Sequence, residues 1–131
     1  MKLKTNTNKP EEQLYELSLI EKMCRGNEKQ VEKMIQVFIS QISKSIEDLK
    51  LAVSKNELLK IKTIVHKIKP SFTYYGTVKL KKEVEILEAL ILGAFEMNLL
   101  ESKIDTVVEL AVLIIHKMKN DFNITINKND E

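Results

Sequence analysis

The sequence predicts an all-α protein: an antiparallel up-down-up-down four-helix bundle with a short extra helix at its N-terminal end. Three observations carry that expectation. Apolar residues recur at alternating three- and four-residue steps along four long stretches, the pattern of helices with one buried face. Turn formers are scarce, with three glycines and two prolines in 131 residues, too few to punctuate many short strands. The links between the four stretches are short, which favours antiparallel neighbours. The length suits one domain and one core.

Taken in order, residues 1–12 are polar, contain Pro10 and show no period, so they read as a flexible N-terminal tail. The folded bundle is expected over 13–122. A short helix spans Leu14 to Cys24 and stops before Gly26. Asn27 caps the second helix, whose stripe is Val31, Ile35, Phe38, Ile42, Ile46, Leu49 and Val53. A third runs from about Asn56 through Leu58, Ile61, Val65, Ile68 and Phe72, and closes at Gly76, where glycine can take the left-handed conformation. Thr77 is the expected cap of the fourth helix, which carries Leu80, Val84, Leu87, Ile91 and Ala94 and ends near Gly93. The fifth runs from about Asn98 to Phe122 with Leu100, Ile104, Val107, Ala111, Ile114 and Met118 inside. Residues 123–131 are again polar and read as a C-terminal tail.

Composition narrows the function classes. With 21 basic and 19 acidic residues, the formal charge of +2 makes no nucleic-acid footprint by itself. The longest apolar runs, "LAVLII" and "ALILGAF", fall far short of a membrane span, and no apolar run follows the basic first residues as a signal peptide requires. A single cysteine, Cys24, has no internal disulfide partner, which suits a reducing cytoplasm and a structural thiol. The Asn123-Ile124-Thr125 acceptor pattern therefore carries no meaning.

The chemistry concentrates in "IVHKIKPSFTYYG", Ile64 to Gly76. His66 follows the core position Val65 and is turned roughly 100° away from it, onto the flank of the third helix. Lys62, Lys69 and Thr73 share that flank at i−4, i+3 and i+7. A neutral imidazole can attack phosphorus, and ammonium groups beside it would then meet the negative charge of the attached phosphoryl group. Pro70 lacks the N–H that would bond the carbonyl of residue 66, and its ring disfavours helical dihedrals at Lys69, so a kink beside His66 is expected.

His66, Lys69, Ser71 and Gly76 read together as H-x-x-K-x-S with a glycine ten residues after the histidine, followed by a leucine-rich fourth helix ending in "ILEAL". In this combination, and in the "MIQVFISQISKSIEDLKLAV" helix before it, the chain resembles the histidine-containing phosphotransfer (HPt) domain of multistep two-component phosphorelays over about Tyr15 to Phe122. The resemblance implies that His66 is the phosphoacceptor, that Lys69 stabilises the phosphoryl group, and that Lys62, Ser71 and Glu88 support the site. It implies response-regulator receiver domains as partners, with a hybrid sensor histidine kinase as a further candidate. It implies no cofactor on this chain, Mg²⁺ on the partner receiver domain, no nucleic acid or membrane insertion, a monomer, and no kinase activity of its own. Most members have glycine where this chain has Pro70.

Other readings remain open. "IIHKMKN" repeats the histidine–lysine spacing at His116 and Lys119 near the end of the fifth helix, where a histidine can simply favour the negative end of the dipole. A metal site joining His66 and His116 lacks the repeated Glu-x-x-His pairs of a di-metal bundle. The alternative function is a helical protein-interaction module without phosphoryl transfer, docking through a flank with Phe72, Tyr74 and Tyr75, of which Phe72 fits the core stripe and the two tyrosines flank the turn as packing residues with wet hydroxyls.

Overall fold

The computed structural model describes residues 13–93 and 96–124. Among the described residues the protein is all helical, in the order α1 (Ser18–Met23), α2 (Glu28–Ser54), α3 (Leu58–Tyr74), α4 (Val78–Leu92) and α5 (Met97–Phe122). The expected tail 1–12, most of the tail 123–131, Thr125 of the acceptor pattern and Ala94 lie outside the described residues.

Each long helix buries its apolar stripe against two others. Contacts run α2 to α3, α3 to α4, α4 to α5 and α5 back to α2, so α3 and α5 stand at opposite corners of a closed ring. Phe38, Phe72, Leu49, Leu87, Leu100, Ile114 and Met118 are essentially inaccessible, and side chains of this size contribute about 1.5–3 kcal/mol each on full burial. Tyr75 ties two of the helices together at one end. Its ring lies 4.3 Å from that of Phe38, and its hydroxyl donates to the Met34 carbonyl at 2.8 Å, so a buried polar group is satisfied.

Local chemistry explains the helix ends. The Asn27 side chain accepts from the Gln30 amide at 3.1 Å, which caps α2. Asn56 takes a left-handed φ of 55° and closes the other end of α2, a place more often filled by glycine. Gly76, at φ 63°, ends α3 in the same way. Thr77 does precede α4, but its hydroxyl does not cap that helix: it is buried and bonded to the Phe72 carbonyl at 3.2 Å, closing α3.

Two expectations need correction. The first helix begins at Ser18, not Leu14, because the chain before it is irregular and crosses the α3–α4 turn. There the Glu16 amide donates to the Tyr75 carbonyl at 3.2 Å, and the Tyr15 hydroxyl donates to the Asp121 carboxylate of α5. The second concerns the backbone of Lys69, which the following Pro70 disfavours in helical conformation. α3 continues through Lys69 and Pro70 to Tyr74 without a break, with Lys69 in helical conformation. Buried Val65 on one side and buried Phe72 on the other hold both halves against the core, which outweighs the local preference of a residue before proline.

Candidate functional site

The core stripe of α3 passes through Ile61, Val65 and Phe72, which leaves the neighbouring flank to face out beside α4. His66 stands on that flank with 81% of its side chain exposed, so packing does not account for it. Its carbonyl receives nothing from Pro70, which has no N–H.

The decisive neighbour belongs to α4. Leu80, Val84, Leu87 and Ile91 anchor α4 in the core, and Glu88, one residue past Leu87, comes out on the edge nearest α3. Its Oε1 accepts from Lys69 Nζ at 2.8 Å, a short charge-assisted bond. Its Oε2 lies 3.6 Å from His66 Nδ1, within ion-pair reach and just beyond a hydrogen bond. One carboxylate thus touches both residues. Glu88 is only 20% exposed, while the imidazole it faces is open to solvent. The bond to Glu88 holds the Lys69 ammonium pKa above its ordinary value.

The structure therefore brings together His66, Lys69 and Glu88 and leaves two candidates out. The Ser71 hydroxyl donates to the Ile68 carbonyl of its own helix at 2.7 Å, a local back-bond common for serine in helices. Lys62 is exposed one turn before His66 and forms no salt bridge among the described residues. His116 is exposed on α5 beside Lys119, Asn120 and Asn123, with no carboxylate within ion-pair distance among the described residues. No three His, Cys, Asp or Glu side chains converge as metal ligands among the described residues. No described helix is long and apolar enough to cross a membrane.

The overall charge conceals a feature of this surface. Residues 58–82, all of α3 and the first turn of α4, contain seven lysines and no aspartate or glutamate. The rest of the chain, with fourteen basic residues against nineteen acidic ones, is net negative. Of the seven, only Lys69 is paired; Lys60, Lys62, Lys67, Lys79, Lys81 and Lys82 make no salt bridge among the described residues. Counting charge by segment instead of over the chain would have revealed this from the sequence.

No protein-family model matches this chain, and neither a curated protein nor a solved structure does.

Proposed function

We propose that this protein is a phosphorelay carrier, in which His66 takes a phosphoryl group from the aspartyl phosphate of one receiver domain and passes it to the aspartate of another. The observation that carries this reading is the Glu88 carboxylate, 2.8 Å from Lys69 and 3.6 Å from His66 Nδ1. A carboxylate at that place favours the proton on Nδ1 and leaves the lone pair on Nε2 of the exposed ring for attack. The N–P bond forms as the P–O bond of the aspartyl phosphate breaks, and the electron pair leaves on the aspartate carboxylate.

Lys69 supplies the second element. Held by Glu88 in the resting protein, its flexible ammonium is one helical turn from His66 and can turn to the phosphoryl oxygens once they arrive. The receiver contributes Mg²⁺ and the acidic pocket that hold the group in flight. The reading gives the chain a nucleophile and no kinase activity of its own. It sets the four long helices in antiparallel up-down-up-down order, supported by the three-residue links 55–57 and 75–77 between packed helices. Receiver partners and a buried free thiol at Cys24 both suit the cytoplasm.

The test is intact-mass analysis after incubation with a phosphorylated receiver domain and Mg²⁺. An acid-labile gain of one phosphate, lost in His66→Gln while helical circular dichroism is unchanged, is the expected result. A gain that survives in His66→Gln would end the assignment.

A further inference from the structure

The lysine block around His66 is too one-sided to be an ordinary solvated surface. Most basic residues elsewhere are also unpaired among the described residues, the exceptions being Lys44 with Asp48, Lys103 with Glu83, and Lys117 with Asp121. What sets the block apart is its composition, seven lysines with no carboxylate between them along residues 58–82, one of which, Lys69, is committed to the site. Lys60 and Lys67 lie on the exposed side of α3, and Lys79 and Lys82 are exposed in the first turn of α4, immediately across the Gly76 turn. Lys81 stands seven residues before Glu88 and so on the same edge of α4, two turns along. The positive charges therefore spread around the exposed side of α3 and past its end onto α4, with Lys79 on the edge of α4 away from Glu88. Its border on α4 is acidic, with Glu85 and Glu88 beside Lys69.

Apolar side chains are set among these charges. Leu59 is 76% exposed, Val78 70% and Tyr74 47%, and none packs into the core. Positive charge alone would fit a polyphosphate backbone. Tyr74 and Val78 are close to the Gly76 turn and Leu59 is fifteen residues from Tyr74, roughly 22 Å along α3, so apolar contact points bracket the charges, and exposed leucine, valine and tyrosine are side chains that protein interfaces use. A protein whose surface is acidic, with apolar side chains among its charges, satisfies both features at once.

We infer that the exposed side of α3 and the first turn of α4 form an electrostatic docking face that selects, among receiver domains, those with a strongly acidic surface around the phosphorylated aspartate. The inference rests on the phosphorelay reading and adds to it the charge of the partner and the residues that choose it. Charges at the rim of an interface act mainly on the association rate and its salt dependence, so selection is expressed in how fast partners meet.

The experiment compares wild type with Lys67→Glu/Lys82→Glu, two exposed positions outside the phosphoacceptor trio. Two phosphoryl donors are used: phosphoramidate, which is too small to dock, and a panel of phosphorylated receiver domains graded by the charge of the face around their aspartate. With phosphoramidate, the P–N bond of the donor breaks, ammonia leaves and the phosphoryl group joins His66, so labelling within twofold of wild type is expected. With acidic receivers at low salt, the double reversal is expected to slow transfer at least about tenfold, and raising salt to bring the two proteins together.

The outcomes separate the two claims. If phosphoramidate leaves His66 unlabelled, the phosphorelay reading falls and this inference falls with it. If His66 is labelled but no receiver transfers, or transfer is the same in both proteins and flat with salt, the docking face is refuted while the phosphoacceptor stands. Binding of a 20-nucleotide RNA or of phosphatidylglycerol vesicles at physiological salt, abolished by the reversal and tighter than any receiver, would assign the face to a different class of partner and overturn the inference.

Discussion

The chain contains nearly the same hexapeptide twice. "IVHKIK" surrounds His66 on α3, and "IIHKMK" surrounds His116 on α5. Both histidines are exposed, and each has a lysine three residues on. What differs is the opposing helix. At His66, α4 delivers a partly buried carboxylate that touches both the imidazole and the lysine. At His116, the surroundings are Lys119, Asn120 and Asn123, with no carboxylate in reach among the described residues. The comparison teaches that local sequence places an exposed histidine beside a lysine, while the carboxylate that joins the two comes from another element.

The most severe test of this contrast is to remove each histidine in turn. His66→Gln should abolish phosphoryl labelling and His116→Gln should leave it within twofold, read by intact mass; equal losses would erase the distinction. Next in size is an attack on what keeps α4 beside α3. A Cβ at Gly76 would collide with the Glu16 backbone, coming to 2.7 Å from its nitrogen, and would also sit at a φ that favours glycine. Gly76→Ala should therefore destabilise the fold by about 3 kcal/mol in urea unfolding, near the upper end for a strained backbone position. A loss below 1 kcal/mol would show that the crossing relaxes freely.

Two smaller changes probe the trio itself. Lys69→Ala should shorten the lifetime of the phosphorylated state about tenfold, the scale expected when a charged hydrogen-bond donor to the phosphoryl group is lost. An unchanged lifetime would remove Lys69 from the mechanism. Glu88→Gln keeps an acceptor near Nδ1 but releases the lysine, so labelling by phosphoramidate should change by a few fold, and Glu88→Ala by more. Rates in both variants equal to wild type would mean that the carboxylate has no part in orienting the ring. Ser71→Ala should alter labelling less than twofold, because its hydroxyl is engaged with the Ile68 carbonyl. A larger effect would restore the serine to the site.

These expectations also mark where the sequence was readable. The stripes through Val31 to Leu49, Ile61 to Phe72 and Leu100 to Met118 follow the period of the helix, so the helices and the exposure of His66 could be read from spacing alone. Glu88 is 22 positions from His66, and its meeting with the imidazole depends on how α3 and α4 rotate against each other, which no local pattern encodes. The resemblance to phosphotransfer domains indicated that residue, while the same resemblance also drew in Ser71, whose hydroxyl is satisfied within its own helix. The start of α1 and the part played by Thr77 were missed for a common reason. Both involve backbone bonds to the α3–α4 turn, made by residues distant in sequence from the groups they satisfy or by a side chain turned backwards. The lysine block was present in the letters but cancelled in the total.

The crossing of residue 16 over residue 76 reaches beyond stability, into how this chain can change over generations. Sixty positions separate the two, yet any side chain at 76 must find the segment before α1 already displaced, and that segment is also fastened to α5 through Tyr15 and Asp121. A lineage that lost the glycine would have to reroute its N-terminal segment in the same step or abandon the turn that places Glu88 beside His66. Positions 15, 16, 76 and 121 should then drift as a group, whereas the lysines of the docking face, which lean on nothing inside the protein, are free to follow whatever partner they meet.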